Sequence, residues 1–379
     1  MRGVPALAHR WPVHDRESTG PAGNQRALTT RLPYNARVAA GGDKILQVGI
    51  RTLGLFTISV CAVAGCNGEA AERRITPDTL QEALLTAKGG EKFVLVSGQY
   101  GDITFPPRTF RPQITIDAAQ AQFTGIVMRK VEGVAIEGGN VTGPRERMFA
   151  VLVDFSRNVA FRGMKISGSR IGISVSRSQG IAIERNRFDG VRSDGVNIAG
   201  SQRVNVIGNT CTNFDPILPV YDPAGKLMQD GDHPDCIQGW SIVGMPPTAD
   251  VTVIGNSGRG FMQGVWFGNP GQGGYDRIIV RQNNFELAAF NAIVVLDARD
   301  SEISDNSVRN VPGARMLNYP FKPYVAWIRA TGSRNVVCGN RIEQPRFSLD
   351  SGRCGSRIKV PAVPVAIPVT SPSTDPADR

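Results

Sequence analysis

From about residue 130 onward, short apolar runs recur along the chain: Val134-Ala-Ile136, Val159-Ala-Phe161, Ile181-Ala-Ile183, Val204-Asn-Val206, Val251-Thr-Val253, Ile278-Ile-Val280, Glu302-Ile303 and Val336-Val337. Each predicts a short strand with alternate side chains inward. In six of these cases an asparagine stands three residues after the last apolar position: Asn186, Asn209, Asn256, Asn283, Asn306 and Asn340, at steps of 23, 47, 27, 23 and 34 residues. A unit of about 23 residues therefore repeats, with insertions. A second strand follows at residues 172–176, 195–199, 236–240, 264–268 and 292–296, with Ile173, Val196, Ile237, Val265 and Ile293 turned inward. Units this short cannot bury a face alone, and stacking them as coils creates one continuous core. The expected core includes Ile183, Val196, Val206, Ile237, Val253, Val265 and Val280. Equivalent asparagines then stack at a turn, where amides bond along the ladder and tolerate left-handed backbone.

Ahead of the repeat, Thr76 as N-cap, Pro77 at the first helical position and a glycine stop at Gly89-Gly90 predict a short helix. Its apolar stripe is Leu80, Ala83, Leu84 and Ala87, and a buried strand over residues 93–96 follows.

These repeats resemble the right-handed parallel β-helix of the pectate-lyase-like superfamily, over roughly residues 76–345. The opening, TLQEALLTAKGGEKFVLVSGQYGDITF, is similar to the capping helix and first coil of polysaccharide lyases on that fold. The resemblance implies an all-β chain: one solenoid over residues 76–354 with an N-terminal capping helix, acting as a monomer on a polysaccharide. A leucine-rich repeat, the rival solenoid, would need a leucine-asparagine signature that is missing.

Composition adds limits. The chain has 379 residues, 43 Gly, 25 Pro, 41% hydrophobic and 20% charged residues, which excludes a disordered polyelectrolyte, a coiled coil and a collagen. The long uncharged stretch at residues 52–65 is short for a bilayer span but suits a signal-peptide core. Val63-Ala-Gly-Cys66 resembles a bacterial lipobox, which implies cleavage before Cys66 and lipidation of its thiol; an ordinary secretory signal is the alternative. Either reading exports the protein, to the cell envelope through a lipid anchor or into the medium, with residues 44–66 as the signal. Residues 1–43 carry no hydrophobic period and read as a mis-assigned start or a disordered leader. Residues 355–379, rich in proline, read as an extended tail.

Without residues 1–65 the net charge falls from +10 to +5, compatible with an anionic substrate. No basic helix or aromatic-basic platform points to nucleic acid. Cys338 and Cys354 bracket the last coil and can pair after export. Cys211 and Cys236 can pair as well, or remain as buried thiols.

The chemistry concentrates in the double-length unit between Asn209 and Asn256. An insertion over residues 214–234 ends in Asp230-Gly-Asp232-His233-Pro-Asp235. Long loops on rigid scaffolds are where sites usually lie. His233 is the sole histidine after the signal, so imidazole chemistry must use it. Aligning residues 195–197 with 236–238 makes Asp194 and Asp235 neighbours on adjacent coils, which cannot both ionise freely. One becomes an acid beside a base, or a cation sits among Asp194, Asp230, Asp232 and Asp235, with Ca2+ the candidate; no other cofactor is expected.

The same alignment puts Asn197, Gln238 and Trp266 outward in a column with Trp240 on that surface, a polar row with aromatic platforms for sugar rings. A lyase acting on a uronate polymer needs a base, for which His233 is the candidate, oriented by Asp232 or Asp235. It also needs a cation to neutralise the substrate carboxylate, from Arg192, Lys226 or Arg259. A hydrolase would use Asp194 with Asp235 or Asp232, and a binding scaffold would use only the aromatic row. Asp-His-Pro-Asp-x-Ile-Gln resembles a motif of bacterial β-helix proteins. The Asp-Asp and Gly-His-Gly patterns of polygalacturonases and the Asp-Pro-His of alginate epimerases are absent.

Overall fold

The computed structural model describes residues 72–241, 243–268, 273–289, 291–313, 327–343 and 354–355. The leader, the signal segment with Cys66, and residues 356–379 of the tail lie outside them. Among the described residues, 28 strands join into one continuous parallel sheet that winds as a β-helix. Turns divide each coil into three short strands, so the coils build three parallel faces. A representative coil runs through Asp194–Ala199 on the first face, Gln202–Ile207 on the second and Thr210–Thr212 on the third. Each strand of this coil pairs in register with its counterparts one coil before and one coil after.

The predicted core residues Ile183, Val196, Val206, Ile237, Val253, Val265 and Val280 are all fully buried. They belong to one apolar column that extends from Ile75 to Ile328. Large and small residues alternate along it: the Phe267 ring fills the space beside Gly239, where a Cβ would stand 2.3 Å from the ring. The Tyr275 hydroxyl donates to the Gly239 carbonyl across the same gap.

The asparagines form a buried ladder at the turn between the second and third faces. Asn186 donates its backbone N–H and Nδ2 to Asn209 Oδ1, and Asn209 does the same to Asn256 Oδ1. The pattern continues through Asn283, Asn306 and Asn340. Each Nδ2 also donates to a carbonyl one coil back, as Asn209 does to Ile183. The left-handed residue of this turn is not the asparagine but the one before it: Arg185, Gly208, Gly255, Gln282, Asp305 and Gly339 all have positive φ. That kink turns the carboxamide inward. The other corner has a serine ladder the sequence reading missed, in which the Ser156 and Ser178 backbone N–H groups donate to the Oγ of Ser178 and Ser201.

The helix spans Leu80–Thr86, with Thr79 rather than Thr76 at its N-cap. Residues 76–79 form a preceding turn, in which the Thr76 carbonyl accepts from the N–H groups of Thr79 and Leu80. Leu80, Ala83, Leu84 and Ala87 are buried as the stripe required, so the helix covers the start of the core. The strand Glu72–Ile75, unforeseen in the sequence, precedes it and pairs with Lys92–Leu95. Both disulfides form, Cys211–Cys236 inside the coil and Cys338–Cys354 at the last one.

Replacing Asn209 by Ala deprives the Asn186 N–H and Ile183 carbonyl of their partners inside the core. The expected cost is about 3–5 kcal/mol, the sum of roughly two unmet buried groups and a lost pair. Asn205→Ala, on the outer side of the adjoining strand, should stay within about 0.5 kcal/mol. Urea midpoints of the two variants measure the difference, and equal midpoints would show that the ladder is not what holds the turns.

Candidate functional site

The insertion leaves the third face after Thr212 and rejoins the first face at the strand Asp235–Trp240. Cys211–Cys236 ties its two ends through the core. Higher up, Asp232 closes the stem: its N–H donates to the Ile217 carbonyl at 2.8 Å, and its Oδ2 accepts from the Ile217 N–H at 3.0 Å. Beyond the stem, Val220–Tyr221 and Leu227–Gln229 form a small antiparallel hairpin.

At the rejoining point the strand register sets Asp194 directly against Asp235, as the alignment required. Asp194 is 3% exposed and Asp235 fully buried. Burial pushes the Asp194 carboxyl up to about 7, although hydrogen bonds from Ser193 and Asn197 and the nearby Arg170 charge oppose the rise. Burial also raises Asp235, and the Asp194 charge raises it further, against hydrogen bonds from Gln238 and Gln263. Asp235 Oδ1 is buried with no hydrogen-bond donor. An ionised carboxylate would leave that oxygen unpaired in a dry site. A proton held by Asp235 keeps a negative charge off that orphan oxygen, in line with its raised pKa.

Two chains of amides run into this pair. On one, Trp327 Nε1 donates to Asn291 Oδ1 at 2.9 Å and Asn291 Nδ2 donates to Gln263 Oε1, Gln263 being the register partner of Asp235 on the next coil. On the other, Asn197 Nδ2 and Trp240 Nε1 both donate to Gln238 Oε1, while Gln238 Nε2 donates to Asp235 Oδ2 at 2.7 Å. Asn197, Gln238 and Trp266 are successive register partners, as the alignment required, but Gln238 is buried rather than outward. The Trp266 ring packs beside Gly268, where a Cβ would stand 2.3 Å from it. Trp240 is 39% exposed beside Gln238.

Several sequence-based expectations are corrected by these contacts. Asp232 does not face a substrate: it is 5% exposed and sits between two arginines, with Arg192 Nε 2.8 Å from Oδ2 and Arg170 Nε 3.2 Å from Oδ1. The 2.8 Å contact is an ion pair off the N–H direction, since Arg192 Nε makes no aligned hydrogen bond. His233 meets Asp230, at 3.4 Å from Oδ1, rather than being oriented by Asp232. With Asp232 neutralised by arginines, the four aspartates do not converge as a calcium ligand set. No cluster of three or more His, Cys, Asp or Glu side chains suited to a metal exists among the described residues.

Arg192 is only 11% exposed and spent on Asp232, Glu146 and the Arg145 carbonyl. Lys226 lies at the exposed hairpin turn, where its N–H donates to Asp222. Arg259 stands on the third face, 3.5 Å from Glu286, away from the acid pair. The cation that does adjoin Asp194 is Arg170, whose carbonyl accepts from the N–H groups of Ser193 and Asp194. Arg170 ends a coil in which no acid or histidine drew attention. Its position one coil below Ser193 was the available signal.

The right-handed β-helix region family matches residues 109–224. Solved structures similar to this chain include a mannuronic acid specific polysaccharide family 6 lyase from human gut microbiota, with a TM-score of 0.46, 12% identity and coverage of 72% of this chain and 64% of that one. A polysaccharide lyase family 6 alginate lyase in complex with a trisaccharide gives 0.45, 12%, 72% and 60%, and the Dettilon tailspike protein 0.40, 12%, 72% and 58%. This chain thus spans less than two thirds of the length of each. At such identities the likeness concerns the coil architecture alone. No curated protein is similar to it in sequence.

The raised pair makes stability depend on pH. A carboxyl whose folded pKa lies above its unfolded value stabilises fully below about 4, and that contribution is lost as pH rises through about 7 for Asp194. Asp235→Asn removes one of the two raised carboxyls. Between pH 5 and pH 8 the wild type should therefore lose more stability than this variant, by on the order of 2–4 kcal/mol. Urea unfolding at both pH values measures it, and parallel losses would show that the pair ionises freely.

Proposed function

We propose that the protein cleaves a uronate-containing polysaccharide by β-elimination, in a groove on the outer surface of the first face. The observation that supports this reading is a carboxylic acid with a pKa of about 7, Asp194, beside an arginine and at the head of an outward polar and aromatic row. Acids poised near neutrality are what proton transfer requires, and such perturbation is concentrated at functional sites.

In β-elimination a base removes the C5 proton, the electron pair forms the C4–C5 double bond, the C4–O bond breaks, and the departing oxygen takes a proton. His233, with a side chain 39% exposed, serves as the base. Asp194 serves as the acid, with Asp235 behind it. Asn197, Gln238, Trp240 and Trp266 line the sugar chain. A hydrolase would need two carboxyls flanking the scissile bond, separated by roughly 5 Å or more. Asp194 and Asp235 are instead neighbours within one ladder, on the same side of any bound chain.

A second reading, a non-catalytic polysaccharide-binding scaffold, is favoured by one observation: Asp235 is fully buried and Asp194 nearly so. One assay separates the readings. The protein is incubated with a panel of uronate polymers, and unsaturated ends, read by ultraviolet absorbance, are followed alongside total reducing ends. Both signals are expected, and Asp194→Asn or His233→Ala should lower the rate by roughly a hundredfold or more. Reducing ends alone would mean hydrolysis. Binding with neither signal would leave the scaffold, and variants within about twofold of wild type would place the chemistry elsewhere.

A further inference from the structure

Four arginines gather where the third face turns into the first: Arg145, Arg147, Arg170 and Arg192. They differ in what their guanidinium groups are free to do. Arg147 is held by both oxygens of Asp102 and by the Thr124 carbonyl. Arg145 pairs with Asp215 of the insertion. Arg192 is enclosed by Asp232, Glu146 and the Arg145 carbonyl. Arg170 is tied only by an ion pair without an aligned hydrogen bond, Nε standing 3.2 Å from Asp232 Oδ1, and its side chain is 38% exposed. Its Nη1 and Nη2 make no hydrogen bond among the described residues.

We infer that Arg170 is the residue that recognises the substrate carboxylate, presenting Nη1 and Nη2 as a fork while Asp232 holds its Nε in place. This rests on the reading of the groove as a uronate site. A planar two-donor fork matches the two oxygens of a carboxylate, which a lysine ammonium cannot reproduce. Anchoring at Nε removes rotamer freedom beforehand, so less is lost on binding. The place is also apt: the Arg170 carbonyl accepts from the Ser193 and Asp194 N–H groups, which sets its side chain one coil from the acid pair. Asp232 is thereby a positioning residue, because Arg192 and Arg170 share its carboxylate and its backbone closes the insertion stem. The loop and the carboxylate pocket are built on one side chain.

The test uses binding, which does not require turnover. Oligogalacturonate, oligomannuronate and oligoguluronate, and the carboxyl-reduced form of each, are titrated by calorimetry at fixed ionic strength into the full chain and its Arg170→Gln and Arg170→Lys variants, with turnover followed in parallel. At least one uronate should bind the wild type more tightly than its reduced form. Arg170→Gln should weaken that uronate by about 10- to 100-fold, as expected for losing a charged fork, and leave the reduced form within about twofold. Arg170→Lys, which keeps the charge but not the fork, should recover only part, and it also checks that the loss in Arg170→Gln is not misfolding. Unchanged binding, equal weakening of both forms, or a wild type that binds no uronate in preference to its reduced form would overturn the inference. Uronate binding lost in Arg170→Gln without any turnover in the wild type would refute cleavage and retain the carboxylate site. Turnover that survives Arg170→Gln intact would do the reverse.

Discussion

A carboxamide buried inside a coil must find partners for two donors and an acceptor, and in this protein only a neighbouring coil in register supplies them. The Asn186 to Asn340 ladder meets that demand at every step. A slip of one residue would strand each of these groups in the core, at roughly 1–3 kcal/mol apiece. Register is therefore fixed far more firmly than apolar packing alone would fix it, because valines and isoleucines tolerate sliding along a column and amides do not. The opposition of Asp194 and Asp235 follows from this constraint: two carboxyls are held one rung apart by bonds made at a distant corner.

Much of the solenoid was legible because its signals are local and repeated. The spacing from Ile183 to Asn186 or from Val206 to Asn209 recurs with little change, so period and strand positions could be read directly. The alignment of residues 195–197 with 236–238 also survived, since it needs only that two coils stack. The helix start was misplaced because Thr76 and Pro77 make a good N-terminus by composition, whereas the chain uses them for a turn and begins the helix at Leu80. Left-handed backbone was assigned to the ladder asparagines, while the structure places it one residue earlier, where Arg185 and Gln282 give no compositional cue.

Site roles were harder to read than positions. Asp232 looks like any other acid in the run from Asp230 to Asp235, and nothing local says that Arg170, 62 residues earlier, will neutralise it. Burial separates the members of that run. Asp230 stays on the surface with His233, Asp232 becomes a clasp between two arginines, and Asp235 enters the dry interior beside Asp194. The basic residues sort by the same logic: Arg192 is consumed by structure, Arg259 belongs to another face, and Arg170 keeps an open fork. Gln238 donates to Asp235 and Asn197 to Asp194, one amide to each carboxyl, while Asp235 Oδ1 is left without a donor, so the surroundings of the pair do not steady two negative charges.

How the two carboxyls hold their protons is open to direct observation. Carbon-13 NMR of the aspartate carboxyls, assigned through Asp194→Asn and Asp235→Asn, follows each group as pH is raised. The raised pair predicts that at pH 6 both carboxyls still hold their protons, that Asp194 releases its own with a midpoint near 7 and Asp235 at higher pH, and that replacing either member changes the titration of the other. If Asp194 and Asp235 both titrate near the ordinary carboxylate value of about 4, independently of one another, the pair is not the buried acid described here.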